Sequence, residues 1–268
     1  DSSGSANSTG RLTVAGGRID TPNLFVGAKG LGLMTVSGTA TVSVNGASAD
    51  IVVGDLTDNN RTNALMVSGG VVTVGDNIEL GDASNTRGRL LLSGGSVIVT
   101  GQVFVGDAAG STGEVEVSGG IFNVVGSGGT DLVVGNAGQG LMSASGGRVD
   151  VTDLVVGEAA LGVLAISGAA TVSVNGAAAD LLIGNGAANN LTNSVLVSGG
   201  VLTVGDNIEI GNGAAGFGRF QQTAGSTLVT GTLYVGDAAG ATGEVVVAGG
   251  DFKTLEDVLV GNAGLGTL

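Results

Sequence analysis

The sequence predicts an all-β fold, a three-sided, right-handed parallel β-helix of about ten rungs, each of about 22–30 residues. Three observations predict it. Short alternating apolar stretches closed by Gly recur along the chain, Gly supplies 54 of 268 residues against one Pro, and no apolar pattern keeps a helical period. Short strands with one apolar face each cannot bury it alone, so rungs must stack about 4.8 Å apart in parallel sheets. The right hand follows from the preference of parallel crossovers.

The repeat unit reads x-L-x-V-S-G-G-x-V-x-V followed by L-x-V-G-[DN]. Units begin near Arg11, Leu33, Asn63, Arg89, Glu114, Leu141, Val163, Asn193, Arg219 and Glu244. The second five copy the first five in order and length, and roughly half of the positions are identical between residues 11–113 and 141–243. We therefore expect one continuous solenoid over residues 1–268, with five-rung modules at 11–140 and 141–266 and both ends cut within a rung.

Each unit is expected to hold three strands, and charged residues fix which side of each strand faces water. In the first strand of one unit, EVEV at 114–117, the two glutamates must face out, so Val115 and Val117 face in. In the third strand, NIELG at 77–81 and NIEIG at 207–211 place Glu79 and Glu209 outward. A slip of one residue would bury these glutamates, so the register is well specified.

The glycines are expected to form the corners. The Ser-Gly-Gly between the first and second strands, and the Gly that ends each third strand, suit turns that need positive φ. Gln222 stands where Leu92 stands in the first module, and it therefore breaks the inward apolar pattern. It needs a buried partner or a local bulge.

Composition excludes several classes of function. With 23 acidic against 9 basic residues and a formal charge of −14, the chain lacks the clustered Lys and Arg that bind nucleic acid. The sequence contains no run of about 18 apolar residues, so we expect no membrane insertion by this segment. The chain has no Cys and no His, which removes thiolate chemistry and the usual general base. We therefore expect no enzyme, and a β-helix polysaccharide lyase or hydrolase is the weakest alternative.

Acidic residues recur on both sides of the third strand. In the column after the third-strand glycine, Asp55, Asp82 and Asp107 are predicted to stack; in the column before the strand, Asp131, Asp153 and Asp180 are predicted to stack. Stacked carboxylates repel each other, and Ca²⁺ would relieve the repulsion. The alternative is that they are solvated Asx-turn residues that bond to their own backbone. No other cofactor is expected.

The outward middle position of the third strand is mostly apolar. It predicts a self-association stripe along the rod, or alternatively only a ladder of residues with high strand propensity. The stripe residues are Phe25, Val52, Phe104, Val133, Val155, Leu182, Tyr234 and Leu259.

Residues 103–120, VFVGDAAGSTGEVEVSGG, return at 233–250 as LYVGDAAGATGEVVVAGG. This repeated sequence motif resembles the β-strand repeats of bacterial autotransporter passenger domains and of PEP-CTERM-type exported repeat proteins. The resemblance implies an extracellular or cell-surface structural protein: a β-helical rod that forms or extends a fibre, filament or adhesin stalk. Its partners would be other copies of itself, joined end to end, laterally or both. The alternative is a receptor- or glycan-binding adhesin passenger.

Overall fold

The computed structural model describes residues 8–46, 48–56, 61–126, 130–176, 178–186 and 191–268. These residues form 27 strands and no helix. All strand pairs described below are parallel, and successive rungs stack as the turns of a solenoid. The predicted all-β parallel β-helix is confirmed.

The strands follow one another three to a rung, except where one long strand covers the first two positions. The first five rungs contain β1 (Thr9–Val14), β2 (Arg18–Thr21), β3 (Leu24–Val26), β4 (Leu31–Val36), β5 (Thr41–Val44), β6 (Ile51–Val53), β7 (Thr62–Val74), β8 (Ile78–Leu80), β9 (Arg87–Val99), β10 (Val103–Val105), β11 (Thr112–Val117), β12 (Ile121–Val124) and β13 (Leu132–Val134). The remaining strands are β14 (Gln139–Ala144), β15 (Arg148–Val151), β16 (Leu154–Val156), β17 (Gly162–Ile166), β18 (Thr171–Val174), β19 (Leu181–Ile183), β20 (Asn193–Val204), β21 (Ile208–Ile210), β22 (Phe217–Val229), β23 (Leu233–Val235), β24 (Thr242–Val247), β25 (Asp251–Thr254), β26 (Val258–Val260) and β27 (Leu265–Thr267).

The strands lie in two sheets that enclose one core. The first and second strands of the rungs form a 17-stranded sheet that bends at a corner, and the third strands form a 10-stranded sheet. Each strand pairs with its equivalent one rung away; in β11, for example, Val115 lies between Leu90 and Met142. The core is therefore a set of columns of like side chains along the rod.

The predicted inward and outward positions are confirmed. Val115 and Val117 are buried while the glutamates beside them are half-exposed. Ile78 and Leu80 are buried on either side of Glu79. Alternation along each strand thus decides which residues enter the core.

Corner glycines are required by the close approach of the rung below. Gly95 has φ +77°, and a Cβ placed on it would lie 2.4 Å from the carbonyl oxygen of Gly70. A side chain there is excluded both by the backbone conformation and by the neighbouring rung.

Gln222 has buried hydrogen-bond partners, as expected from the sequence, but only for its amide nitrogen. It is fully buried, and its Nε2 donates to the carbonyl oxygens of Asp251 at 3.1 Å and Gly225 at 3.3 Å. Its Oε1 has no hydrogen-bond partner, and neither does the buried hydroxyl of Thr227. The core is therefore less well satisfied at this rung than where Leu92 occupies the equivalent position.

Two buried asparagines join three rungs each, which the sequence pattern did not reveal. Asn63 Oδ1 accepts from the Gly32 N–H at 2.9 Å, and its Nδ2 donates to the Arg87 carbonyl at 3.3 Å. Asn193 makes the equivalent bonds to Gly162 and Phe217. Both stand in a column otherwise occupied by Gly, and each side chain connects its own rung to the rungs before and after it.

Candidate functional site

The third face is the outer surface of the 10-stranded sheet together with the turns on either side of it. Its leading column precedes each third strand: Asn23, Asp50, Asn77, Gln102, Asp131, Asp153, Asp180, Asn207, Thr232 and Asp257. Its trailing column follows the glycine after each third strand: Ala28, Asp55, Asp82, Asp107, Asn136, Glu158, Asn185, Asn212, Asp237 and Asn262. Its middle ladder is the outward residue of each third strand: Phe25, Val52, Glu79, Phe104, Val133, Val155, Leu182, Glu209, Tyr234 and Leu259.

Side chains of the leading column bind the backbone of the next rung. The N–H groups of Asp50, Asn77 and Gln102 donate to the side-chain oxygens of the column residues one rung earlier, at 2.8–3.0 Å. Asp180 and Asn207 repeat this pattern. These side chains bond to backbone, as the Asx alternative expects, but the bonds join adjacent rungs rather than closing a local turn.

The predicted calcium ligands of the leading column do not come together as a metal-binding group. Asp153 and Asp180 each use one carboxylate oxygen for the inter-rung bonds, at 3.2 and 3.0 Å. Asp131 is 1% exposed and accepts from the Thr152 N–H at 3.1 Å. Each of these carboxylates therefore accepts a hydrogen bond from the backbone of the next rung.

In the trailing column, two of the predicted ligands come together with a third carboxylate that was not predicted. Oxygens of Glu79, Asp82 and Asp107 all lie within 4.8 Å of one another, whereas Asp55 lies outside the group. The missed residue could have been found from the sequence, because Glu79 and Asp82 stand three residues apart across a one-residue corner and both point outward. Among the described residues this is the one group of three or more possible metal ligands.

Burial, together with the neighbouring charges, favours the protonated forms of Glu79 and Asp82 by raising their pKa values. Burial, and then the charges of Asp82 and Asp107, raise the pKa of Glu79 to about 7. Burial, and then Asp107 and Asp55, raise the pKa of Asp82 to about 6. In the second module, burial and then the charges of Asp180 and Asp237 raise the pKa of Glu209 to about 7.

Amide side chains relieve this repulsion in other rungs. Asn136 Nδ2 donates to the Asp107 carboxylate at 2.7 Å, and Asn262 Nδ2 donates to Asp237 at 2.8 Å. Asn212 occupies the position equivalent to Asp82 and donates to Asn185 at 3.0 Å. The run Asp55, Asp82, Asp107 is thus the part of the trailing column with no amide between its carboxylates.

The donor chemistry of Glu79, Asp82 and Asp107 suits Ca²⁺ only in part. Ca²⁺ takes six to eight oxygen ligands, and three carboxylates supply at most six if all bind in bidentate fashion. Water would complete the shell, since the group is half-exposed. Calcium binding stays a prediction, now for this group rather than for the six aspartates of the two columns.

The predicted self-association stripe is not a continuous exposed surface, and three of its eight residues were wrongly placed there. Val52 and Val133 are 4% exposed and Val155 is 1% exposed. Each is a short side chain in a ladder with longer neighbours: Val52 lies between Phe25 and Glu79, and the two other valines lie between Phe104 and Leu182. Phe104, Leu182 and Tyr234 are half-buried, and Phe25 and Leu259, in the first and last rungs, are exposed.

The first and second faces, formed by the first and second strands of the rungs, differ from the third face because four of their arginines form ion pairs with carboxylates. Arg89 and Arg219 form ion pairs with Glu114 and Glu244 across adjacent rungs, at 2.8 and 3.4 Å. Arg18 and Arg148 pair with the aspartates two residues along their own strands, Asp20 and Asp150, each at 2.6 Å. Negative charge that has no adjacent arginine is therefore concentrated on the third face.

Two concavities lie at the ends of the rod. One, of about 700 Å³, is lined by residues of the first two rungs, among them Lys29 and a single carboxylate, Asp55. The other, of about 520 Å³, is lined by apolar residues of the last rungs, among them Phe252 and Val258. The described residues also contain no helix that could cross a bilayer.

Comparison with known proteins gives this chain no relative: no protein-family model, no curated protein and no solved structure matches it. The resemblance to autotransporter passenger domains and PEP-CTERM-type repeat proteins therefore stays a prediction. The fold assignment rests on the strand ladders of the chain itself.

Proposed function

We propose that the protein is an extracellular structural rod, a β-helical length of a bacterial surface fibre, filament or adhesin stalk. One observation carries the proposal: parallel ladders run through every rung in both sheets. Continuous backbone pairing along one axis gives a stiff, elongated object, which is the property that a stalk or fibre requires. The extracellular location rests on the resemblance of residues 103–120 and 233–250 to exported repeats.

We propose further that the protein is not an enzyme. Glycoside hydrolysis needs two carboxylates that flank a bound sugar. The two concavities at the ends of the rod have at most one carboxylate each in their walls. The carboxylates of Glu79, Asp82 and Asp107 lie on an open face of the rod and line neither of these two concavities.

Self-association, end to end or lateral, is part of the proposal. Sedimentation velocity over a hundredfold range of concentration tests it, and a single species at the mass of one chain throughout would contradict it. The half-buried middle ladder does not favour lateral contact through the third face, because like charges line it on both sides.

Electron microscopy tests the structural proposal. Ten rungs at about 4.8 Å give a rod about 5 nm long, and immunolabelling of intact cells should place it on surface fibres. Label confined to the cell interior would contradict the proposal. Release of reducing ends or unsaturated uronates from a panel of polysaccharides would contradict the non-enzymatic part of it.

A receptor-binding adhesin is the second candidate. It is favoured by the concentration of unpaired negative charge and half-buried aromatic residues on one face.

A further inference from the structure

We infer that the third face is a docking surface for a basic amphipathic helix of another polypeptide, which lies along the rod with its apolar stripe on the middle ladder. This goes beyond the proposed structural function and holds for a rod in any location.

The two columns and the middle ladder carry charge of one sign, and the basic residues of this face, Lys29 and Arg61, lie in the turns beyond the trailing column. Neither column, and none of the third strands, contains Lys or Arg. The five ion pairs among the described residues, made by four arginines, lie on the other two faces, where they neutralise the carboxylates beside them. A ligand for the third face must therefore bring positive charge, and it must bring it to both edges, because both columns carry carboxylates.

The middle of the face offers separate apolar contacts rather than a continuous exposed stripe, because Val52, Val133 and Val155 are buried in the ladder. Phe104, Leu182 and Tyr234 are half-buried, and the ladder between the charged columns contains no polar residue except Glu79 and Glu209. Aromatic and aliphatic side chains that remain accessible between two acidic edges fit the apolar stripe of an amphipathic helix. A ligand that is only polycationic would leave this surface exposed.

The width of the face suits one helix. The two columns are five residues apart, which is at most about 16 Å of extended chain. An α-helix is about 10–12 Å wide, and Lys or Arg on its flanks can lay apolar stems on the ladder while the charged groups reach the columns. Along the rod, ten rungs span about 43 Å, the length of a helix of about 29 residues.

A second copy of this chain does not suit the face. Two such faces brought together would oppose acidic columns with acidic columns, and like-charge juxtaposition opposes association. The net charge of −14 adds a longer-range repulsion.

A synthetic peptide of 28 residues tests the inference by fluorescence anisotropy against the whole protein, with EDTA present to remove divalent cations. The probe contains only Leu and Lys, placed so that Leu forms one helical stripe. A control peptide has the same composition in an order that destroys the stripe. We expect the ordered peptide to bind at least tenfold more tightly at 50 mM NaCl, and its affinity to fall steeply at 300 mM NaCl.

Two triple variants with the same net charge locate the site. D82N/D107N/D237N alters the third face, and its fold should persist because Asn already occupies this column at 136, 212 and 262. E114Q/E116Q/E244Q alters the first face. We expect the first variant to bind the ordered peptide at least tenfold more weakly and the second to change binding less than twofold, with thermal melting used to check both folds.

A third variant, F104T/Y234T, keeps strand propensity while it removes the aromatic surface, and we expect a loss of at least fivefold in affinity. Equal losses for the two triple variants would overturn the inference, since they would show attraction to net charge alone. Equal binding of the two peptides would overturn it as well, because a polycation would then suffice. Absence of binding at 50 mM NaCl would do the same, and none of these outcomes bears on the length of the rod or its place on the cell.

Discussion

Single residues in the core show how a repeat tolerates departure from its own pattern. Gln222 and Thr227 replace Leu92 and Val97 of the first module, and they leave two buried polar atoms without partners. The alternation of the sequence correctly placed Gln222 inside. It could not tell which of its two amide atoms would find a partner, because that depends on carbonyl groups in β25 and at the corner.

Replacement of Gln222 by Leu should stabilise the protein. Removing an unsatisfied buried oxygen recovers about 1–2 kcal/mol, and the core accepts Leu at the equivalent position in the first module. The reverse change, L92Q, should cost about 2–3 kcal/mol. Urea denaturation measures both, and a lower midpoint for Q222L would contradict the explanation.

Glu209 should make stability depend on pH. Its folded pKa of about 7 lies above its ordinary value of 4.5, so the folded state binds more protons between these two pH values and loses stability as the pH rises through them. E209Q should therefore be more stable than the wild type at pH 8 by about 1 kcal/mol, after allowance for solvent screening. Near pH 4.5 the two should be equal.

Thermal melts from pH 4.5 to 8 measure this difference. E256Q, which removes an exposed carboxylate from the last rung, serves as the control. If E209Q and wild type differ by the same amount at both ends of the range, the carboxyl of Glu209 is not the group that titrates.

At the scale of strands and corners, the register fixes which substitutions are possible. Gly95 and Gly110 both have positive φ, at +77° and +78°, but a Cβ would strike the neighbouring rung only at Gly95. G110A should cost about 1–2 kcal/mol, the penalty for a left-handed conformation. G95A should cost about 3 kcal/mol or more, since overpacking adds to that penalty. Similar melting temperatures for the two variants would show that the corner can shift.

Calcium bound to Glu79, Asp82 and Asp107 should connect β8 to the turns that follow β8 and β10. At a concentration ten times the Kd, the stabilisation would be about 1.4 kcal/mol. D82N should abolish this stabilisation, because it removes one of the three carboxylates. The fold should accept the change, since Asn212 fills the equivalent position in the second module. A melting temperature that is unchanged by Ca²⁺ would exclude the site.

Much of the element scale could be predicted from the sequence, and the parts that could not share a cause. Alternation and corner glycines decide which side of a strand is inside, because these are local properties. The burial of Val52, Val133 and Val155 depends on the size of ladder neighbours about 25 residues away. The same holds for the grouping of Glu79 with Asp107 and for the bonds of Asn63, since each requires the register between rungs.

The whole molecule is a rod whose negative charge is unevenly distributed. Its formal charge of −14, concentrated on the third face, opposes folding through self-repulsion. Raising NaCl from 10 to 300 mM should raise the melting temperature by several degrees, because the Debye length falls from about 30 Å to below 8 Å. D82N/D107N/D237N should show a smaller rise than E114Q/E116Q/E244Q. Equal rises would mean that the faces do not differ in electrostatic repulsion.

The register across the boundary between modules has a consequence for inheritance. Gly113 pairs with Gly140 at that boundary, and Gly243 pairs with Gly266 one module later, in the same alignment. A tandem duplication of the coding segment would thus insert five rungs in the backbone register that the rod already uses. Recombination between the two modules would lengthen or shorten the rod in steps of about 2.4 nm, so that length can vary between lineages while the rungs keep this register.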